Sequence, residues 1–382
     1  MKIAALVRID PDFWKRRRVL VTGHTGFKGA WLSLWLQALG AEVTGVAHGV
    51  PTRPSLYQLA DVGGHMHAEH ALDVRDPAAL RDALARARPE VVLHLAAQPM
   101  VRRSLRDPAL TYEVNVIGTV NVLEAVREAG EHVRAVVAVT SDKCYENRAE
   151  GRHDPSAGPR RPGEGSRGFT EDDPLGGSDP YSSSKACAEL VVSAYRRSFF
   201  SGEGAARLAS ARAGNVIGGG DWGEDRLLGD VLRAVDAGEA MLVRNPRAVR
   251  PWQHVLSPLG GYLLLAERVW REPALARAWN FGPRAGEERP VSWVLERVAA
   301  LWDGVFEWRL DERANPPEAA HLALDSSAAE RELGWRPSCD LEGALALTVA
   351  WHRAERDGQR MRDVSLAQID RIMELDSSVG FT

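Results

Sequence analysis

The chain has 382 residues, 45% of them hydrophobic and 26% charged, and a formal net charge of −4. That balance suits a globular enzyme with a large core and points to neither a nucleic acid nor a membrane surface as partner. No apolar run reaches the ~20 residues of a membrane span, residues 1–18 lack a signal-peptide pattern, and the three cysteines (144, 187, 339) show no metal spacing, so a cytoplasmic chain with reduced thiols and no bound metal is expected.

An apolar run, Val19–Val21, reads as a buried parallel strand. Three glycines follow, at 23, 26 and 29, and an amphipathic segment begins at Ala30 and ends at Gly40. Strand, glycine turn and helix together form a dinucleotide site. Gly23 permits the turn, Gly26 lets a pyrophosphate approach, and Gly29 lets helix and strand pack closely. The first N–H groups of the helix are unpaired and suit phosphate. Ala41–Ala47 reads as the second strand. It ends in Ala47-His48-Gly49, without the acid that often grips the adenosine ribose. His48 or Arg53 would suit a 2′-phosphate, so NAD is the expected cofactor and NADP stays open.

Ala68–Leu72 reads as a third strand. Asp73, with Asp76-Pro77 after it, suits the start of a helix over Pro77–Arg86, and Asp73 also stands within reach of an adenine. Val91–Leu95 is a fourth strand, whose small residues Ala96 and Ala97 let a cofactor lie against the backbone. A long helix is expected over Pro108–Glu128 and a fifth strand over Val133–Val139, ending in Thr140-Ser-Asp-Lys-Cys-Tyr145. Glu146–Gly177 reads as a long loop, a lid or a disordered insertion. Tyr181–Phe199 reads as a second long helix and Ala206–Ala211 as a sixth strand. This alternation predicts an α/β fold, a doubly wound parallel Rossmann sheet over 13–215 with the loop insertion 146–177. From Gly218 the alternation loosens, with helices over Asp230–Ala237, Leu259–Trp270 and Val291–Trp302. A smaller C-terminal substrate lobe is expected over 216–360.

The chemistry gathers on strand ends and one helix. Tyr181 and Lys185 lie at i and i+4 on one helix face. A phenol of pKa about 10 is a poor base at neutral pH, and a fixed ammonium beside it favours the phenolate. The chain has only five lysines, so Lys28, Lys143 and Lys185 stand out in a background of arginine. The expected cofactor set is Gly23, His24, Thr25, Gly26, Phe27, Lys28, Gly29, His48, Asp73, Val74, Leu95, Ala96 and Ala97, with Tyr181 and Lys185.

The segments Gly23-His-Thr-Gly-Phe-Lys-Gly29, Ala96-Ala-Gln-Pro99, Thr140-Ser-Asp-Lys-Cys-Tyr-Glu-Asn147, Asp179-Pro-Tyr-Ser-Ser-Ser-Lys185 and Arg250-Pro-Trp-Gln-His-Val255 carry a resemblance. The chain resembles the extended short-chain dehydrogenase/reductases that act on nucleotide sugars, and within them the 4,6-dehydratases of the CDP-sugar branch, from about Phe13 to Trp351. The resemblance implies loss of water from a sugar nucleotide, CDP-glucose above others, with a C4 epimerase or a different nucleotide or sugar as alternatives. It implies that Tyr181 takes the C4 hydroxyl proton and that Ser141 hydrogen-bonds that oxygen. Asp142 becomes the acid at C6. Lys143 becomes the base at C5, or else an electrostatic stabiliser of the enolate. By the same match, Gln98, Asn215, Arg250 and Asn280 face substrate, while Arg212 and Arg244 read as structural or solvated. Trp222 and Trp252 read as pocket walls or plain core. The resemblance also implies a homodimer or tetramer, paired through helices 108–128 and 181–199.

Overall fold

The computed structural model describes residues 9–147, 168–302, 306–313 and 321–378. Among them a single parallel sheet of seven strands organises the chain. Its first six strands in chain order are β1 (Arg18–Thr22), β2 (Glu42–Ala47), β3 (Ala68–Ala71), β4 (Val91–His94), β5 (Ala135–Val139) and β6 (Arg207–Ala213). The spatial order is Ala278–Phe281, then β6, β5, β4, β1, β2 and β3. The order reverses between β1 and β4, and ligands of such sheets bind outside the carboxyl ends at that reversal. The registers Thr22↔His94, Thr22↔Val46 and His94↔Ala138 bring the ends of β1, β2, β4 and β5 level.

Helices cover both faces, as right-handed parallel crossovers require. One face packs Phe27–Ala38 and Leu256–Arg271 onto the sheet, with Met361–Ser378 lying outside them against Phe27–Ala38. The other packs Pro77–Ala87, Gly118–Ala129 and Pro180–Ser198. Helix Phe27–Ala38 buries Trp31, Leu32, Leu34 and Trp35. Burying each large apolar side chain is worth about 1.5–3 kcal/mol, which outweighs the ~1 kcal/mol that Gly29 costs a helix interior. Gly29 is required there, because a Cβ would lie 2.0 Å from the Gly23 carbonyl oxygen.

The structure departs from the expectations at several places. The region 108–129 is helical throughout, but Glu113–Ile117 forms a π-turn between Pro108–Tyr112 and Gly118–Ala129. Helices Val101–Arg106, Leu341–Arg356 and Met361–Ser378 had no counterpart in the reading. The chain also returns to the main sheet after 216, through Leu256–Arg271 and Ala278–Phe281. Residues beyond 216 therefore serve both the sheet and the lobe. The lobe's own core joins Leu228, Val231, Trp252, Leu295 and Leu345.

Of the expected loop 146–177, residues 148–167 lie outside the described residues. The part that is described is packed rather than loose. Phe169 stacks on Tyr145 at 4.9 Å, Tyr145 bridges to Leu175, and Phe169 bridges to Leu324.

Candidate active site

One cavity of about 870 Å³ runs along the carboxyl ends of the strands, from the β1 turn across to the lobe. The glycine turn forms one end. Gly23 has φ +74°, and a Cβ there would lie 2.8 Å from the Ala96 nitrogen. Gly26 stands immediately before helix Phe27–Ala38, whose first N–H groups face the cavity. Ala47–Gly49 and Asp73–Arg75 line the next stretch, followed by Leu95–Gln98. A cradle of bare backbone at a helix N-terminus, continuing along small residues to Tyr181 and Lys185, fits a dinucleotide.

β5 ends in a short turn, Asp142–Cys144, capped by Ser141. The Ser141 Oγ accepts from Lys143 N at 3.2 Å and donates to Asp142 Oδ1 at 3.0 Å. Asp142 Oδ2 is buried and has no hydrogen-bond partner among the described residues. Burial pushes the Asp142 carboxyl up, against the pull of Lys143, Arg250 and Lys28. The protonated form is thereby favoured, as an acid at this position requires. Lys143 is half-buried on the cavity wall beside it.

Helix Pro180–Ser198 starts cleanly because Asp179 caps it, accepting from Ser182 N at 2.9 Å, and Pro180 occupies its first turn. Tyr181 and Lys185 then share its cavity face. Burial pushes the Tyr181 phenol up to about 12, opposed by a hydrogen bond with Ser141 and the charge of Arg226. Burial pushes the Lys185 ammonium down to about 8, opposed by Glu189 one turn on. Desolvation thus outweighs the groups that lower this phenol. Asn115 anchors the neighbourhood. Its Oδ1 accepts from Gln98 N at 2.8 Å, and its Nδ2 donates to Gln98 O at 3.1 Å and Ser184 Oγ at 2.9 Å.

Nearly all the expected residues meet in this cavity: Gly23, Thr25, Gly26, Phe27, Lys28, Gly29, His48, Asp73, Val74, Leu95, Ala96, Ala97, Gln98, Ser141, Asp142, Lys143, Tyr181, Lys185, Asn215 and Arg250. Two do not. His24 turns its ring under β2, where its Nε2 meets Glu69 Oε1 at 2.7 Å. Asn280 is fully buried behind the site. Its Oδ1 accepts from Tyr145 Oη at 2.7 Å and its Nδ2 donates to Phe169 O at 2.8 Å. Both serve packing. The Gln98 amide is also committed, to Met100 and Thr111, so it shapes the wall.

Other readings sort the same way. Arg212 is structural, in a buried pair with Glu189 at 2.7 Å. Arg244 instead lines the cavity and pairs with Asp225 at 3.2 Å. Trp252 lines the cavity, whereas Trp222 packs edge-on against Trp351 and His352. Arg102, Asp221, Asp225 and Arg226 also line it and were missed. Their charges on loop and short helix carried no periodic signal. Asp76, rather than Asp73, caps helix Pro77–Ala87, accepting from Ala78 N and Ala79 N. Asp73 pairs with Arg75 at 2.8 Å on the cavity wall.

The profile of the NAD dependent epimerase/dehydratase family matches residues 19–275. A CDP-glucose 4,6-dehydratase of Salmonella typhimurium is 46% identical over 96% of this chain and 98% of the relative. A dTDP-glucose 4,6-dehydratase of Streptomyces griseus is 30% identical over 69% of this chain and 72% of its own. Among solved structures, a Thermus thermophilus UDP-glucose 4-epimerase in complex with NAD superposes with a TM-score of 0.70 at 26% identity, covering 88% of this chain and 98% of that one.

Proposed function

Because the chain belongs to the NAD dependent epimerase/dehydratase family, we propose that it removes water from a nucleotide-activated hexose, CDP-D-glucose, giving CDP-4-keto-6-deoxy-D-glucose. The observation that carries this reading is the Asp142–Lys143 pair beside Ser141 and Tyr181. A buried carboxyl with an uncommitted oxygen is more than a plain C4 oxidation needs, and it is what elimination of water needs.

The glycine cradle, Ala96 and Lys185 hold the cofactor, with NAD preferred over NADP. Arg75 is engaged by Asp73 and Glu113, at 2.8 Å each, and Arg53 lies outside the cavity wall. Of the two expected 2′-phosphate partners only His48 lines this stretch, and it lacks the two-point fork of a guanidinium. Bound there, NAD would supply a hydride acceptor for oxidation at C4 and a hydride donor for reduction at C6. The chain's own residues do the rest. Ser141 and Tyr181 hold the C4 oxygen, and Tyr181 takes its proton. Lys143 draws the C5 proton, which the C4 ketone has acidified, and a proton exchanged with solvent returns to C5 as C6 is reduced. Asp142 gives its proton to the C6 hydroxyl as water leaves. Arg250, buried at 5% exposure on the cavity wall, faces the substrate diphosphate.

We read the working assembly as a homodimer or tetramer of cytoplasmic chains. Three free thiols, Cys144, Cys187 and Cys339, suit a reducing compartment. Among the described residues no helix is long and apolar enough to cross a membrane.

The decisive assay incubates the protein with CDP-glucose and NAD in deuterated water. A 4-keto-6-deoxy product carrying deuterium at C5 is expected. A C4 epimer without C5 exchange would replace this reading with the epimerase one.

A further inference from the structure

We propose that His94 is a positioning residue for the cofactor floor, holding the Leu95–Ala96 backbone against Gly23 by a hydrogen-bond relay that runs from Thr22 to the helix bearing Asn115. The inference rests on the reading that this cavity takes NAD.

The direction of every bond in the relay follows from donor and acceptor counts. Thr22 Oγ1 accepts from Ala96 N at 3.1 Å and shares the Leu95 N–H, at 3.2 Å, with the Thr22 carbonyl at 3.1 Å. Both lone pairs of the hydroxyl are then used, so its proton points to its third neighbour, His94 Nδ1, at 2.7 Å. In a neutral ring the other nitrogen carries the hydrogen, and Nε2 donates to Thr119 Oγ1 at 3.1 Å. The Thr119 hydroxyl in turn donates to Asn115 O at 2.7 Å. That carbonyl lies in the π-turn Glu113–Ile117, where helical bonding is displaced. The chain of bonds has one direction, and His94 is its only member that can pass it on from strand to helix. His94 is 4% exposed, and burial with nearby Lys185 holds the imidazole neutral, its pKa down to about 3.

The consequence falls on the cofactor site. Thr22 ends β1 and His94 ends β4, the two strands that flank the reversal of sheet order. Ala96 N lies 2.8 Å from where a Cβ on Gly23 would stand, so a small shift of Ala96 changes the turn that receives the pyrophosphate. The far end of the relay is anchored on Asn115, which fixes Gln98 and Ser184. A single imidazole thus ties the cofactor floor to the helix carrying Tyr181.

Three variants test this. His94→Gln keeps an acceptor beside a donor, His94→Leu removes both, and Thr119→Val removes only the far anchor and spares the strand. In the protein without added nucleotide, hydrogen exchange at the Ala96 amide should quicken about tenfold in His94→Leu and Thr119→Val, as one unmade buried hydrogen bond allows. NAD affinity by calorimetry should fall by a similar factor, while kcat at saturating NAD and KM for CDP-glucose hold. His94→Gln should restore both exchange and affinity to within a few-fold. If His94→Leu does not fold, Thr119→Val alone decides. Unchanged Ala96 exchange, or lowered Tm with unchanged NAD affinity, would overturn the relay and leave His94 as a core residue. Failure of the unsubstituted protein to bind NAD would overturn the proposed function instead, and Ala96 exchange still judges the relay.

Discussion

The Tyr181 phenol, pushed up to about 12 by burial, gives up its proton only when the phenolate is stabilised from close by. Ser141 hydrogen-bonds it, and Lys185 lines the same cavity one helical turn on. Tyr181→Phe removes the hydroxyl and nothing else. NAD binding and Tm should hold, while oxidation at C4, followed in single turnover, should slow by about 10²–10⁴-fold, the range for losing a general base. Near-normal turnover would sink the assignment. Asp142 makes the complementary case, because its elevated pKa favours the neutral acid. Elimination should therefore fail as pH rises through that pKa. Asp142→Asn should still oxidise C4 and then stall, with about one equivalent of reduced nicotinamide per site in the ultraviolet spectrum. Rapid water loss by that variant would place the acid elsewhere. The residue types at these positions were legible in the sequence because each chemistry admits few side chains. The direction of a side chain was not. His24 and Asn280 sit inside matching motifs, yet one braces β2 through Glu69 and the other fastens Tyr145 and Phe169.

At the scale of elements, the sheet was legible where a strand is an apolar run bounded by glycine or polar turns, as with β1, β4 and β5. Strand Ala278–Phe281 escaped because Asn280 breaks its apolar run and it sits at the sheet edge, placed by pairing with β6 far back in the chain. No local pattern reports such a pairing. The N-terminal helix Pro11–Trp14 escaped for the same reason, since its partner is Glu267 in helix Leu256–Arg271. Glu267 Oε1 accepts from Trp14 Nε1 at 2.6 Å and from Asp10 N at 3.0 Å. Burial pushes this carboxyl up to about 8, against those hydrogen bonds. The folded protein thus holds a proton that the unfolded chain releases near pH 4.5. Stability is full below that value and is lost as pH rises toward 8, by at most about 3 kcal/mol at pH 7. Glu267→Gln keeps the accepting oxygen and cannot ionise. Its Tm should match that of the unsubstituted protein near pH 4.5 and exceed it at pH 8. Parallel Tm profiles over that window would show that Glu267 titrates normally.

At the scale of the whole molecule, one surface is unlike the rest. Leu105, Tyr112, Ile117, Leu190 and Phe199 are exposed large hydrophobics, and all fall in 101–129 or 180–199, on or beside helices that pack together. Among the described residues only Leu242 and Leu310 share that property elsewhere. An apolar face gathered on neighbouring helices suits an isologous contact, in which each helix meets its own copy across a two-fold axis. A stable interface of that kind buries roughly 1,600 Å² in total, within reach of two long helices per subunit. Charging it should be decisive, because none of the five residues lines the active-site cavity. The double variant Ile117→Asp/Leu190→Asp should sediment as a monomer at micromolar concentration, whereas Leu242→Asp should keep the unsubstituted mass. The monomer should still bind NAD, since the glycine cradle lies on β1 and its following helix. It should turn over more slowly, because the face charged in this variant includes the outer side of the helix that carries Tyr181 and Lys185. An unsubstituted protein that is itself monomeric, or a charged variant of unchanged mass, would remove this face as the interface.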